Sequence, residues 1–344
     1  MLKLRPLKRV RFYSFELLAG ISFVVTLETL WIVGLDVGLR TFGFTIRETG
    51  LTLLAALALG TVLNILLRIR PPGAAASYVR TIFKASWVLD TVRIWAACEL
   101  LLYSYMWLKV SIPFVNGRLW DVELARLDQA LHGGFSPNRF LVALFEGTPL
   151  LAFFDVSYVL WLPVSLALFG AFATLPDPRT RAQFVFSHVA LWTLGVWLYV
   201  SVPALGPGLA FPGEWRTVRA SLPRNVASQH KLLNNYGKVI EARRTGVLRA
   251  GFNPSFGVAA MPSLHVGVDW LLLLWCFRRA RPLVSLFIGA VLVTFLGSIV
   301  TGWHYAVDGY VGIAVAQLCF WLAQRVSLDL PDSAEARKMT EPPG

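Results

Sequence analysis

Two histidines and an aspartate are the residues of this sequence best suited to chemistry. His304 and Asp308 stand four apart in TGWHYAVDGY, residues 301–310. On a helix that spacing puts both side chains on one face, where the carboxylate accepts a proton from one ring nitrogen and leaves the other free to attack. The pair is thus expected to be an oriented nucleophile or base. His265 stands in AAMPSLHVGVDW, residues 259–270. Pro262 there reads as a first-turn helix residue, because a proline in that turn gives up no intrahelical donor. Ser263 follows in the same turn with His265 close behind, where unpaired amides and the positive end of the helix dipole favour an anion. A His/Asp pair that merely caps a helix would account for 304 and 308. It would not account for a second histidine at the start of another helix.

The elements that must carry these residues are membrane helices. The chain of 344 residues is 56% hydrophobic and only 15% charged, with a mean hydropathy of +0.59, too apolar for a water-soluble domain of this length. Apolar runs of about 18 residues or more, the length that crosses a bilayer, occupy 15–36, 49–67, 89–109, 150–173, 183–203, 282–301 and 304–324, and a shorter run at 263–277 brings the set to about eight. The expected fold is an all-α polytopic helical bundle forming a single membrane domain over 1–344. Its core would lie at about 89–326, extra N-terminal helices at about 15–67, and a polar, disordered tail at 327–344. The first run lacks a small-residue cleavage site and reads as a retained helix. Cys98, Cys276 and Cys319 fall inside the runs, so no disulfide framework or cysteine metal site is expected. There is no internal repeat, nucleotide-binding glycine loop or metal-ligand cluster in the pattern, and no nucleic-acid partner is implied.

Lysine and arginine in the short loops set the orientation. Lys3, Arg5, Lys8, Arg9 and Arg11 precede the first run, Arg68, Arg70, Arg80 and Lys84 follow the second, and Arg278, Arg279 and Arg281 lie between 277 and 282. These mark the cytoplasmic side. The loop at 37–48 and the charge-balanced region 116–149 then lie outside, as do the starts of the helices bearing His265 and His304. The connection at about 204–262 also lies outside although it is strongly basic, because long segments obey the charge rule weakly. Its excess charge fits either a loop against anionic lipid heads or the cover of a site for an anionic substrate. The arginine-rich short loops favour a bacterial inner membrane over a Golgi membrane.

At MPSLH, residues 261–265, and HYAVD, residues 304–308, the sequence resembles the second and third motifs of the type 2 phosphatidic acid phosphatase superfamily of membrane phosphotransferases. The resemblance is specific over residues 260–312 and architectural elsewhere. It implies a two-step reaction without metal or other cofactor: His304 attacks phosphorus, Asp308 orients it, and His265 protonates the leaving alcohol and then activates the acceptor. Hydrolases of the family usually carry Lys seven residues before Arg-Pro, Gly before the second-motif histidine, and Ser-Arg six residues before the third-motif histidine. Here no such Lys is present, Leu264 replaces the glycine, and Gly297-Ser298 replaces Ser-Arg. The pattern PSLH…GWHYAVDGYVG looks more like the branch containing fungal inositol phosphorylceramide synthase, with sphingomyelin synthase a more distant relative.

With those cations absent, the candidates to bind phosphate beside Ser263 are Lys238, Arg243, Arg244 and Arg249 in the basic connection. Asp155, Tyr158 and Asp269 are candidates to face a headgroup cavity. Asp90 and Arg93 read as a pair on one helix, while Glu16, Glu28, Glu99 and His188 are suited to bonds across helices. In LWDVELARLDQALHGG, residues 119–134, Trp120, Leu124, Leu127 and Leu131 share a face that Asp121, Arg126 and Asp128 do not, as in a helix lying on the outer membrane surface; a plain connecting helix fits equally well.

The expected activity is transfer of a phosphoryl headgroup, phosphoinositol foremost, from a phospholipid donor to a lipid alcohol such as ceramide or diacylglycerol. A lipid phosphate phosphatase using the same three residues is the alternative. A transporter or structural protein would instead place its charges near mid-membrane in discontinuous helices. The orientation is checked by single cysteines in a cysteine-free background: one at Ser228 should react with an impermeant thiol reagent added outside the cell, and one at Ala280 should not. The reverse labelling would remove the site from the outer face.

Overall fold

Backbone amides and carbonyls inside hydrocarbon must bond within their own segment or close into a barrel, and this chain takes the first course. The computed structural model describes residues 12–326 except 36–38, 72, 247–252 and 259. Arg249, the basic run from Lys3 to Arg11 and the tail 327–344 lie outside the described residues. Within them there are thirteen α-helices and no strand. In chain order they are α1 (Ser14–Ile32), α2 (Leu39–Leu66), α3 (Ala74–Ile82), α4 (Ala85–Val115), α5 (Asp121–Leu131), α6 (Pro137–Phe145), α7 (Leu150–Ala173), α8 (Pro178–Ser201), α9 (Pro207–Ala210), α10 (Pro223–Thr245), α11 (Leu264–Arg279), α12 (Val284–Val300) and α13 (Ala306–Arg325).

The protein is thus an all-α, multi-pass membrane bundle. Six segments are long and apolar enough to cross a membrane: Ser14–Ile32, Thr41–Leu66, Leu150–Ala173, Pro178–Ser201, Arg281–Val300 and Ala306–Arg325. The other two of the eight expected runs are α4 and α11. Asp90, Arg93, Glu99 and Lys109 lower the hydropathy of α4, and α11 has 16 residues. Both run through the bundle between the other helices. α11 packs on α8, α12 and α13, and α4 packs on α1, α2 and α8. A helix screened from lipid by protein needs less apolar surface than one facing lipid, so the two fall short of the others in hydropathy or length without leaving the bundle.

Polar contacts tie the helices at the end away from the two histidines. Arg93 pairs with Glu16 of α1 at 2.5 Å, and Asp90 with Arg181 of α8 at 2.5 Å, while the Tyr13 hydroxyl donates to Asp90 at 2.9 Å. The expected pairing of Asp90 with Arg93 on one helix is therefore corrected: each finds its opposite charge on a neighbour, which uses a costly intramembrane charge to fix helix position. Nearer the middle, Thr49 of α2 donates to Glu99 of α4 at 2.6 Å. His188 accepts from Trp192 one turn on, at 3.0 Å, rather than across helices.

The expected faces of α5 are also corrected. Asp121, Leu124 and Asp128 are the buried residues, whereas Leu127 and Leu131 are exposed. The carboxylates turn inward because backbone amides of the neighbouring segments supply their partners, as described below. Leu127 and Leu131 remain on the outer surface, where an interfacial helix would meet lipid.

α2 and α7 approach at a glycine contact. A Cβ built on Gly170 would stand 1.9 Å from the Ala56 carbonyl oxygen, and one on Gly60 would stand 2.0 Å from the Gly170 carbonyl carbon. Small residues allow such close backbone packing, which substitutes for the hydrophobic drive that is missing between helices in lipid. Gly170→Val is expected to force α2 off α7 and to lower the thermal midpoint in detergent, an overpacking cost of about 1–3 kcal/mol. Gly43→Val, at a position with open space around it, should leave the midpoint unchanged; equal midpoints for both variants would refute the contact.

Candidate active site

His304 lies just before α13 rather than on it, and Tyr305 is the N-cap. The stretch Thr301–His304 is a tight turn in which Gly302 adopts φ 78°, a left-handed conformation that favours glycine. A side chain at Gly302 would also meet the backbone of Gly208 and the ring of Trp215. The His304 amide donates to the Ser298 carbonyl at 3.1 Å, and its carbonyl accepts from Asn138 Nδ2 at 3.1 Å. The ring nitrogen Nδ1 is 2.7 Å from the Ala260 carbonyl oxygen and 3.4 Å from Asp308 Oδ2. A carbonyl oxygen only accepts, so Nδ1 carries the proton and the neutral ring holds its lone pair on Nε2.

The expectation that His304 and Asp308 share a helix face is thus corrected in detail. Asp308 is in the first turn of α13, and its Oδ2 accepts the Tyr305 amide at 2.9 Å while standing beside His304. A carboxylate in that turn satisfies an open amide and sits at the positive end of the dipole. The same atom therefore stabilises the helix start and faces the imidazole.

Ser263 is the N-cap of α11, its hydroxyl accepting from Val266 N at 3.4 Å, and Pro262 precedes the helix instead of opening its first turn. The Ser263 amide donates to the Asp308 carbonyl at 2.9 Å, which joins the starts of α11 and α13. His265 in the first turn of α11 then faces His304, with ring centroids 5.6 Å apart. Tyr158 of α7 stacks on His265 and places its hydroxyl 3.1 Å from Nδ1, and Trp161 packs against the same ring at 4.3 Å.

Both histidines line a cavity of about 550 Å³. Tyr105, Lys109, Tyr158, Tyr199, Asn225 and Trp303 surround them, and an apolar arm runs between α2 and α7 past Leu53, Val159 and Leu162 to Leu166. From Tyr158 to Leu166 is eight helical residues, about 12 Å along the axis. Val159 and Leu162 are also exposed on α7, so apolar residues border the cavity along this helix.

A model of the PAP2 superfamily matches residues 122–322, which include His265, His304 and Asp308. The chain belongs to the PAP2 superfamily. No curated protein and no solved structure matches it. Superfamily membership supports an enzyme of phosphatase or phosphotransferase type acting on lipid in the membrane. The matched region starts at α5, so α1 to α4 precede it, including the α2 and α4 walls of the cavity.

The family-motif positions that differ here have structural occupants. Leu264, where the second motif usually has glycine, lays its side chain over Gly195 of α8, close enough that a Cβ there would stand 2.6 Å from Leu264 Cδ2. Ser298, at the usual arginine position of the third motif, receives the amides of Trp303 and His304 on its carbonyl.

The basic connection is largely α10, a helix across the site end of the bundle whose Asn225, Ser228 and Leu232 line the cavity. Its candidate cations lie elsewhere: Lys238 is exposed, Arg244 pairs with Glu241 at 2.8 Å, and Arg243 lies against Gly117. Asp155 anchors α10, accepting from Arg224 N at 3.2 Å and from Asn225 N and Nδ2 at 2.9 Å each. Asp269 is held by Trp161 Nε1 at 3.0 Å. Neither carboxylate is among the cavity walls, whereas Tyr158 is.

Three cavity residues went unread in the sequence. Asn225 bridges Asp155 to Trp303, whose indole donates to Asn225 Oδ1 at 2.7 Å, and nothing in the local pattern marks either residue. Lys109 carried a signal, a single cation inside the apolar stretch MWLKVSIPF, and an intramembrane charge is a functional candidate by default.

α5 fixes the site from behind. Asp128 accepts from Ala306 N at 3.0 Å and Val307 N at 2.8 Å, the open amides of α13. Asp121 accepts from Leu205 N, Gly206 N and the Tyr305 hydroxyl at 2.9–3.0 Å. Burial pushes both carboxyls above the usual range, and the amide donors oppose it. Asp128→Ala strips two buried amides of their acceptor, a loss of about 1–3 kcal/mol. It is expected to lower the thermal midpoint and turnover together, while Leu127→Ala on the exposed face of α5 changes neither. Full turnover in Asp128→Ala would show that α5 does not position the site.

Proposed function

We propose that this enzyme transfers a phosphoryl headgroup, phosphoinositol in the first instance, from a phospholipid to a lipid alcohol such as ceramide, at the non-cytoplasmic face of a bacterial inner membrane. The observation that carries the reading is the state of His304. Its Nδ1 is engaged by the Ala260 carbonyl with Asp308 alongside, which leaves Nε2 as the nucleophilic atom in a cavity with an apolar arm.

In the first step the Nε2 lone pair attacks phosphorus and the bond from phosphorus to the diacylglycerol oxygen breaks. His265, entering as the imidazolium with its Nδ1–H donated to the Tyr158 hydroxyl oxygen, gives the diacylglycerol oxygen its Nε2 proton and is left as the neutral base. The His304 ring, now bonded to phosphorus and positively charged, is stabilised by the Ala260 carbonyl and the Asp308 carboxylate. In the second step the acceptor hydroxyl passes its proton to His265, its oxygen bonds phosphorus, and His304 departs as neutral imidazole. The apolar arm suits a lipid acceptor and disfavours water. The PSLH and GWHYAVDGYVG patterns support the inositol phosphorylceramide synthase-like branch, and the absence of the hydrolase cations from their usual positions points the same way.

Purified enzyme given phosphatidylinositol and ceramide in mixed micelles is expected to form the phosphodiester product faster than it releases inositol phosphate. Omission of acceptor should not divert the full flux to hydrolysis. His304→Ala should abolish turnover, and Asp308→Asn, which keeps an acceptor for the Tyr305 amide but removes the charge beside His304, should lower it about a hundredfold or more. Near-normal activity of His304→Ala would remove the nucleophile assignment. Rapid release of inorganic phosphate from a lipid phosphate monoester, with no transfer to any lipid alcohol, would establish the phosphatase instead.

A further inference from the structure

We propose that Lys109 is the cation that holds the phosphate group of the lipid substrate, taking over from the motif cations this sequence lacks; the assignment rests on the phosphotransfer reading above. Lys109 is on α4, before the region that matches the family, so no family motif position corresponds to it.

Three observations converge on this side chain. First, Lys109 is the lysine or arginine that lines the cavity holding His265 and His304, among the described residues. Second, no carboxylate stands within ion-pairing distance of it among the described residues; its ammonium has only the face of Tyr105, 4.9 Å from the ring centroid. The cavity's acid, Glu48, is already paired with Arg47 at 3.1 Å. An ammonium inside a membrane bundle is costly unless an anion completes it, and the cation–π contact offsets part of that cost. Third, the side chain is confined. A Cβ on Gly257 would stand 2.7 Å from the Lys109 carbonyl oxygen and 2.9 Å from its Cγ. The glycine lets the connection lie directly on the lysine stem.

An ammonium is a point charge suited to a single non-bridging phosphate oxygen. A phosphodiester donor and a phosphomonoester both present one, and the apolar arm between α2 and α7 leads away from the same chamber. The geometry therefore assigns Lys109 to a lipid-borne phosphate whose chain lies in that arm.

The test is equilibrium binding to the purified full-length protein in detergent, with phosphatidic acid, diacylglycerol and inorganic phosphate as separate probes. Lys109→Gln should weaken phosphatidic acid binding by roughly ten- to a hundredfold, the range for loss of one charge-assisted contact, and leave diacylglycerol binding unchanged. Lys109→Arg should restore most of the loss. Gly257→Ala, which displaces the lysine without removing its charge, should fall between wild type and Lys109→Gln. In turnover the same variants should raise KM for the phospholipid donor more than KM for the alcohol acceptor. Unchanged phosphatidic acid affinity in Lys109→Gln would overturn the proposal. So would equal loss of both lipids, which marks a collapsed cavity, or inorganic phosphate binding as tightly as phosphatidic acid, which marks a solution-fed site. Binding is read without turnover, so a protein that binds phosphatidic acid through Lys109 yet transfers no headgroup would sink the catalytic reading and leave the binding site standing.

Discussion

The amides left open at helix starts govern the site end of this bundle. A helix leaves four such groups without an intrahelical partner, and burial away from water makes each one costly. Here aspartates meet several of them. Asp155 of α7 closes the start of α10, Asp128 of α5 closes the start of α13, and Asp308 closes its own first turn. Asp121 does the same for the turn at Leu205 and Gly206. Because three of these acids come from a different element than the amides they satisfy, the requirement for satisfaction becomes a positional constraint. His304 is suspended between them: α13 is capped behind it, Asn138 and Ser298 hold its backbone, and Ala260 with Asp308 fix its ring.

The same logic separates two kinds of charge. The acids near the site mostly answer backbone dipoles and are therefore structural in their first duty; Asp308 combines that duty with a place beside the His304 imidazole, as Asp128 does beside His132. Two arginines of α10 answer carboxylates instead, Arg224 pairing with Asp155 at 3.3 Å and Arg244 with Glu241 at 2.8 Å. Among the described residues Lys109 answers neither a dipole nor a carboxylate, and so stands apart from both groups.

Much of the architecture was legible because hydropathy reports directly on lipid exposure. Six runs read as spans are spans by length and composition, and the remaining two, α4 and α11, are found where the runs were placed. The histidine motifs were legible because their residue types and spacing are unusual in apolar sequence. The inward turn of α5 was not, because Asp121 and Asp128 look like solvated charges until the amides of 205–206 and 306–307 are brought against them by segments far away in the chain. The cross-helix pairing of Asp90 and Arg93 was hidden for the same reason: a neighbour on the same helix is visible in sequence, whereas Glu16 and Arg181 become neighbours only in the fold. Lys109 was visible as an anomaly, but its meaning depends on Gly257 lying on its stem.

The glycine contact between α2 and α7 bears on what counts as one enzyme. The family-matched region begins at residue 122, yet Gly60 rests on Gly170 inside that region, and Thr49, Thr52 and Leu53 of α2 form a wall of the chamber that the matched region's histidines face. The unit of shared ancestry and the unit that can hold a lipid are therefore different stretches of chain. A relative carrying the same two histidines and aspartate but other helices ahead of them would enclose a differently shaped space, so substrate preference in such proteins can drift through helices outside the matched region.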